Sequence, residues 1–279
     1  MVERLKAAIE KARQRRDMPE QPIRAPVSGG GDGDRPGAGD EAAWEALPEL
    51  ALDPARLAER RVVSWRRTDP AHLAFDILRT RLLKLCADRG WRRIGVTSPT
   101  KSCGKTMVAA NLSVSLARQA ATRVILLDLD LRRPALAHTL GTSATQDAGD
   151  FLAGRIEPQR FLARVDERLA VGLTAGRSPD PAETLQSAGA AAALSALVTT
   201  YRPTVMLVDL PPMLVSDDAL AAMPMLDAVL LVAGAGQTTA AHLRDCDRLL
   251  ADGAPLIGVV LNKCEDEEPE SYDYGYGAS

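Results

Sequence analysis

The sequence predicts an α/β fold built on a doubly wound, mostly parallel sheet. Short β-rich segments alternate with helical stretches along most of the chain. Several of these segments, such as VILLDLD, VMLVDLP and AVLLVAG, are almost continuously apolar, which is typical of strands buried on both faces. The composition, 46 % hydrophobic and 25 % charged over 279 residues, provides enough apolar side chains for one sizeable core.

Residues 1–59 are predicted to lie outside the folded domain. Residues 1–16 have apolar side chains at helical spacing with basic residues between them, which indicates an amphipathic helix. Two alternatives stay open for it, a solvated helix or docking on a partner or an anionic membrane surface. Residues 26–40 are rich in Gly, Pro and Asp and predict a linker. Residues 42–57 are mildly apolar and predict at most a short helix.

Residues 60–266 are predicted to form the folded domain, opening with a helix from Pro70 to about Cys86. The six predicted strands are residues 94–97, 124–129, 169–174, 205–210, 228–233 and 256–262. Helical stretches between them indicate crossover connections and therefore a parallel sheet. Residues 267–279 are acidic and poor in aliphatic side chains, so they predict a disordered tail.

Bulk properties argue against several classes of protein. The net charge of −3 gives no general reason to expect a nucleic-acid partner. The four cysteines are widely separated and form no C-x-x-C pair, which favours free thiols in a reducing compartment over disulfides or zinc. No apolar run reaches the roughly 18 residues of a membrane span, and the charged N-terminus does not resemble a signal peptide. We therefore expect a cytoplasmic protein.

The clearest motif is a phosphate-binding loop between the first strand and the helical run that follows it. SPTKSCGKT connects the two, and the order strand, loop, G-K-T, helix directs backbone N–H groups and a helix N-terminus at phosphates. We expect Lys105 to be exposed and to reach the β- and γ-phosphates, and Thr106 to hold Mg²⁺. The expected nucleotide contacts are Ser102, Cys103, Gly104, Lys105, Thr106 and Met107. One departure is Pro99, where the full pattern has glycine.

Aspartates lie at the ends of two of the predicted strands. Asp128 and Asp130 stand at i and i+2 at the end of VILLDLD, and Asp209 ends VMLVD. Ligands bind open parallel sheets at the carboxyl ends of the strands. Such carboxylates can hold Mg²⁺ or accept a proton from an attacking hydroxyl. The alternative for the first pair is that it caps a following helix.

Together these motifs resemble the bacterial tyrosine kinases of capsule and exopolysaccharide systems, within the deviant-Walker P-loop ATPases that include MinD and ParA. LLDLDLRRP is similar to the second Walker segment of that family, and DLPPMLVSDDALAAMPMLDAVLLVAGAGQT is similar to its Walker B block. AFDILRTRL resembles its ring-assembly helix, LTAGRSPDPAETL its Gly/Pro segment and GVVLNK its last strand. Three of the four tyrosines lie near the C-terminus, as in the family: Tyr272, Tyr274 and Tyr276.

The resemblance implies an ATP- and Mg²⁺-dependent protein-tyrosine autokinase that regulates capsular or exopolysaccharide biosynthesis and export. It implies catalytic roles for Lys105, Asp128, Asp130 and Asp209, metal binding by Thr106, Asp130 and Asp209, and nucleotide contacts from Arg133 and Asn262. The phosphoacceptors would be Tyr272, Tyr274 and Tyr276 of neighbouring subunits. Implied partners are further copies in a ring, a membrane activator of the chain-length-determinant type and a tyrosine phosphatase, with recruitment to the inner face of the plasma membrane.

The chain departs from the family pattern at a few positions. Ser102 stands where the family loop has glycine, and Leu73 and Asp76 stand where its assembly helix has Glu and Arg. Cys103 is either an oxidation-sensitive thiolate or a small residue that the loop tolerates. The alternative function is an ATP-dependent assembly switch like MinD or ParA, without kinase activity.

Overall fold

The computed structural model describes residues 38–66, 68–251 and 253–264. Its helices are α1 (Ala38–Glu45), α2 (Pro54–Glu59), α3 (His72–Arg89), α4 (Lys105–Ala117), α5 (Leu136–Thr139), α6 (Ala148–Leu152), α7 (Pro158–Phe161), α8 (Pro181–Gln186), α9 (Ala188–Tyr201), α10 (Asp218–Ala222) and α11 (Ala240–Leu250). Two 3₁₀ turns lie at Val63–Trp65 and Met223–Met225. The predicted helix from Pro70 to about Cys86 is confirmed by α3.

The strands are β1 (Arg93–Thr97), β2 (Val124–Asp128), β3 (Leu162–Arg164), β4 (Leu169–Gly172), β5 (Val205–Asp209), β6 (Ala228–Gly234) and β7 (Leu256–Asn262). They form one sheet in the order β3-β4-β2-β5-β1-β6-β7. Every pairing is parallel except that of β3 with β4. The predicted fold class and all six predicted strands are confirmed. The sequence analysis missed β3, because three residues are too few to show a period.

Apolar side chains cover both faces of the sheet, as the continuous apolar strands predict. One buried cluster contains Trp44, Phe151, Phe161 and Tyr201. The cluster on the other face is built around α4 and includes Leu112 and Leu116, both fully enclosed. Because α4 lies against β1, β2 and β5, its first residue is held at the carboxyl ends of these strands.

The packed part of the chain begins earlier than residue 60, which corrects the predicted domain boundary. Trp44 on α1 and Leu57 on α2 are buried, each in a different core cluster. Glu49 forms an isolated bridge with Arg164 on the edge strand β3. The short apolar stretches in residues 42–57 are stabilised by burial against the domain, which their own sequence could not reveal. The predicted helix at 1–16 lies outside the described residues.

No helix in the described part of the chain combines the length and the apolar character needed to cross a membrane.

Candidate functional site

The loop between β1 and α4 turns back towards the sheet through two left-handed residues. Gly104 has φ +91° and Ser102 has φ +62°. The left-handed region is costly for residues with a Cβ, so Ser102 adopts a strained conformation at the position where the related family has glycine. A Cβ on Gly104 would lie 2.2 Å from Nδ2 of Asn262. Glycine is therefore required at 104 by conformation and by space.

Side chains from the ends of β6 and β7 hold this loop. Asn262 donates from Nδ2 to the carbonyl oxygen of Cys103 at 2.9 Å. Gln237 donates from Nε2 to the carbonyl oxygen of Lys101 at 2.5 Å. Asn262, expected at the nucleotide, thus braces the loop that would carry the phosphates. The sequence analysis assigned no role to Gln237, although this residue lies in the quoted Walker B block.

Cys103 is enclosed by the loop and by the turn after β6. Its thiol is 1 % exposed and lies 3.5 Å from the Thr100 hydroxyl and 3.7 Å from the Thr238 hydroxyl. Burial raises the pKa of the Cys103 thiol, but hydrogen bonds from Thr100 and Thr238 outweigh it and leave the pKa below its ordinary value. Oxidation also requires access to solvent, so the enclosure favours the small-residue alternative.

Lys105 lies between two carboxylates at the start of α4. Its Nζ is 2.8 Å from Oδ2 of Asp130 and 3.3 Å from Oδ1 of Asp209, and its side chain is only 11 % exposed. The expectation of an exposed lysine is wrong, because the acids at the carboxyl ends of β2 and β5 converge on it. Burial alone would lower the pKa of Lys105, but Asp209 and Asp130 raise it above its ordinary value. The lysine is held as a cation.

Thr106 completes this cluster. Its hydroxyl donates to Oδ2 of Asp209 at 2.6 Å. Asp209 is fully buried, and burial raises the pKa of its carboxyl despite Lys105 and Thr106. The structure thus brings together four of the predicted site residues from three separate segments: Lys105, Thr106, Asp130 and Asp209.

Asp128 is fully buried and its carboxylate accepts three backbone hydrogen bonds. Oδ2 accepts from the amides of Ala135 and Leu136 at 3.1 and 2.9 Å, and Oδ1 from the amide of Asp130 at 3.2 Å. Asp128 therefore caps α5, which begins at Leu136, as the alternative interpretation of this aspartate predicted. Burial, and then the charge of Asp209, raise the pKa of Asp128 to about 7. That value suits a general base, although the carboxylate is enclosed.

The two arginines after these aspartates have different surroundings. Arg132 forms a two-pronged ion pair with Asp218 at 2.7 and 2.9 Å. The hydrogen bonds from Arg132 hold the pKa of Asp218 below its usual range. Arg133, expected at the nucleotide, is exposed, and its amide donates to Oδ1 of Asp130 at 2.9 Å. The sequence analysis did not predict Asp218 as the partner of Arg132, although the quoted Walker B block contains it.

The helix resembling a ring-assembly element also has an internal role. Arg79 on α3 is buried and donates to Asp76 at 2.6 Å and to the Ser115 hydroxyl at 3.1 Å. The Ser115 hydroxyl donates in turn to Asp76 at 2.7 Å. These groups attach α3 to α4. The exposed positions of this helix include Leu73 and Ile77.

Three predicted site residues, Tyr272, Tyr274 and Tyr276, lie outside the described residues. Among the residues that are described, no group of three or more His, Cys, Asp or Glu is arranged to hold a metal ion. The candidate Mg²⁺ donors are two carboxylates and a hydroxyl. They fit that ion, which takes one or two carboxylates and otherwise keeps water and phosphate oxygens.

Comparison with known families agrees with this geometry. The model of the CobQ/CobB/MinD/ParA nucleotide binding domain matches residues 94–274. The chain belongs to this family. The match begins within β1 and includes the loop, the aspartates and the last strand.

Several relatives are bacterial tyrosine-protein kinases, which confirms the resemblance inferred from the motifs. Tyrosine-protein kinase YwqD of Bacillus subtilis is 27 % identical over 78 % of this chain and 92 % of its own length. EpsB of Ralstonia solanacearum, whose assignment as a tyrosine-protein kinase is itself provisional, is 31 % identical over 75 % of this chain. The chain spans only 28 % of the length of EpsB.

A solved structure gives the same result. The kinase domain of the Escherichia coli tyrosine kinase ETK superposes with a TM-score of 0.64 and 29 % identity, covering 75 % of this chain and 82 % of that domain.

Proposed function

We propose that the protein is an ATP-dependent protein-tyrosine kinase that phosphorylates Tyr272, Tyr274 and Tyr276 of a neighbouring copy. The observation that carries the proposal is the cluster in which Lys105 and Thr106, at the N-terminus of α4, meet Asp130 and Asp209. Family membership supports nucleotide binding there, and the kinase relatives support tyrosine as the acceptor.

The loop and α4 would bind the phosphates of ATP. The first amides of a helix have no partner within the helix and, with the helix dipole, favour an anion at this end. Lys105 would leave its carboxylate partners for the γ-phosphate and stabilise the negative charge that develops there. Thr106, Asp130 and Asp209 would hold Mg²⁺, which, when bound, neutralises charge on the phosphate oxygens.

The proposed step forms a bond between the tyrosine oxygen and the γ-phosphorus and breaks the bond from that phosphorus to the β–γ bridging oxygen. ADP leaves, and the tyrosine proton passes to a carboxylate. We assign that carboxylate to Asp128, because its pKa of about 7 allows it to accept a proton at neutral pH. Since Asp128 is enclosed by the amides of residues 130, 135 and 136, this role requires the loop 131–135 to open.

The cellular role follows from the same relatives and belongs to the proposal. We infer regulation of capsular or exopolysaccharide biosynthesis, self-association of the kinase, activation by a membrane protein of the chain-length-determinant type at the inner face of the plasma membrane, and reversal by a tyrosine phosphatase. Each of these assignments depends on kinase activity, so that activity is tested first.

The decisive experiment incubates the purified chain with Mg·ATP and detects phosphotyrosine by immunoblot. The wild type should label. A variant with Tyr272, Tyr274 and Tyr276 replaced by phenylalanine should not, because its remaining tyrosine, Tyr201, is 2 % exposed. ATP binding without any phosphotyrosine would instead support the assembly-switch alternative.

Transfer between copies is tested by mixing two variants of different size, neither of which should label itself. The triple phenylalanine variant keeps the site but has no acceptor, and Asp128→Asn keeps the acceptors but has no base. Phosphotyrosine should appear on the Asp128→Asn chain in the mixture. Labelling that stays absent in the mixture, while wild type labels itself, would show that transfer occurs within one chain.

A further inference from the structure

The loop 131–135 is anchored at both ends and exposed between them. Leu131, which opens it, and Leu136, which follows it, are both buried in the core. Arg132 and Arg133 between them are exposed. Because buried apolar side chains fix the backbone that carries them, the part of the loop that can open lies between these two leucines.

The Arg132 side chain ties this exposed part to a different element. Its guanidinium donates to both carboxylate oxygens of Asp218 at 2.7 and 2.9 Å, across 86 positions of the chain. Within the part of the chain that the structure describes, no other side chain of residues 132–135 forms a hydrogen bond or an ion pair. The Arg132–Asp218 pair is therefore the polar side-chain contact that holds this part of the loop in place.

Asp218 is the fixed partner in this contact. It is the first residue of α10, its side chain is 1 % exposed, and the Ser216 hydroxyl donates to its Oδ2 at 2.8 Å. The Arg132 side chain, by contrast, is 50 % exposed. A buried carboxylate is costly to move or to leave unpaired, whereas an exposed guanidinium can turn to water. Opening of the pair would therefore move Arg132 and leave Asp218 in place.

The segment between β5 and α10 is itself fastened to the loop before α4. The amides of Met213 and Leu214 donate to the carbonyl oxygens of Ser98 and Pro99 at 2.8 and 3.1 Å. Ser98 and Pro99 begin the loop that would carry the phosphates. The ion pair therefore holds the loop 131–135 at a defined position relative to the loop before α4.

The carboxylate of Asp128 lies beneath the loop 131–135. Asp128 is fully buried, and its Oδ2 accepts hydrogen bonds from the amides of Ala135 and Leu136 at 3.1 and 2.9 Å. A general base must come within hydrogen-bond reach of the proton that it accepts. In this closed position the loop keeps an external hydroxyl away from Asp128.

We propose that Arg132 and Asp218 are positioning residues whose ion pair keeps the loop 131–135 closed over Asp128, so that an acceptor hydroxyl reaches this carboxylate only when the pair opens. The control of access rests on the proposed kinase function, whereas the closure of the loop does not. Hydrogen bonds between charged groups are the stronger kind. Loss of this two-pronged pair should therefore raise the open population by about tenfold or more.

Hydrogen–deuterium exchange of the full chain, followed by mass spectrometry on peptides that cover residues 129–137, tests the closure. In Arg132→Gln this region should exchange about tenfold or more faster than in wild type, because its amides lose protection when the loop opens. Peptides from α9 should be unchanged. The matched control is Arg155→Gln, which removes an exposed arginine that contacts Asp150 through Nε and Nη2 at 2.8 and 2.6 Å. It should leave the exchange of residues 129–137 as in wild type.

The double variant Arg132→Gln/Asp218→Asn separates closure from the cost of an unpaired carboxylate. Arg132→Gln leaves Asp218 buried without its cation, whereas the double variant has neutral amides at both positions. Both proteins lack the ion pair, so the loop should open in both. The closure is overturned if the exchange of residues 129–137 is unchanged in both proteins, rises only in the single variant, or rises equally along the whole chain.

Access to Asp128 is tested by the initial rate of phosphotyrosine formation at saturating Mg·ATP. The double variant should label faster than wild type, by up to about tenfold. Its KM for ATP should be unchanged, because Met213 and Leu214 still hold the loop before α4. Arg155→Gln should label like wild type. Faster exchange with an unchanged or slower labelling rate would overturn the control of access. Absence of phosphotyrosine in every protein, wild type included, would reject the kinase function instead, and the exchange result would then decide on the closure alone.

Discussion

The two ends of the central strands bury side chains of opposite charge, mainly carboxylates at the carboxyl ends and a guanidinium at the amino end. The two ends differ in how these charges are paired. At the carboxyl ends of β2 and β5, Asp128 and Asp209 are fully buried, and Lys105 lies among the acids. At the amino end, Arg123 has a partner in Glu41 but keeps one buried N–H unpaired. In the first cluster Lys105 is paired within the chain with Asp130 and Asp209, whereas one N–H of Arg123 has no acceptor among the described residues.

The two ends also differ in how much a substitution would leave buried and unpaired. At the carboxyl end, removal of Lys105 would leave buried carboxylates without their cation, whereas Glu41, the partner of Arg123 at the amino end, is about half exposed. The contrast predicts that substitutions at the carboxyl end affect stability strongly, while loss of the Glu41 pair at the amino end costs little.

The largest effect is expected for Lys105→Met. It should abolish tyrosine phosphorylation and also lower the free energy of unfolding by about 3 kcal/mol or more, because removing one partner leaves buried carboxylates unpaired. Urea denaturation at pH 7 and a phosphotyrosine immunoblot measure the two effects. The control is Lys101→Met, at an exposed lysine of the same loop. Its free energy of unfolding should lie within about 0.5 kcal/mol of the wild-type value.

Adding Asp130→Asn to Lys105→Met should recover part of the lost stability, since one of the unpaired charges is removed. A Lys105→Met protein as stable as wild type would contradict the pairing described here.

A smaller effect is expected for Asp128→Asn, and it depends on pH. The pKa of Asp128 is raised to about 7 in the folded chain, above the 3.8 of an ordinary Asp, so the folded state binds the proton more tightly. The contribution of protonated Asp128 to the stability of the folded state is complete below about pH 4 and is lost as pH rises through about 7. Melting temperatures of the nucleotide-free protein between pH 5 and 8.5 should therefore fall less in Asp128→Asn than in wild type.

Asp128→Asn should also bind ATP but form no phosphotyrosine on its own. Parallel pH curves for the two proteins would show that the pKa of Asp128 is not raised. Normal autophosphorylation of the variant would show that Asp128 is not the base.

The smallest effect on stability is expected for Glu41→Gln at the amino end. Glu41 is about half exposed, and exposed ion pairs contribute about 0.2–1 kcal/mol. Urea denaturation measures this effect, with Glu45→Gln on the same helix as the control. A loss of several kcal/mol in Glu41→Gln would contradict the half-exposed character of this pair.

The sequence alone determined the fold class, six of the seven strands in the described residues and the four residues that the structure brings together, Lys105, Thr106, Asp130 and Asp209. These properties are local in the chain, since buried parallel strands are continuous apolar runs and the G-K-T triplet ends the short loop that follows one of them. The aspartates could be placed at the same edge because strand direction in a parallel sheet assigns every carboxyl end to one side.

Only the tertiary structure decided how these residues meet. The order of strands places β5 between β1 and β2, which encloses Lys105 among carboxylates. It also allows Trp44 and Leu57, from short segments with weak signals of their own, to complete the core. Such contacts join residues far apart in the chain, and the free energy of burial that selects them depends on all partners being in place at once.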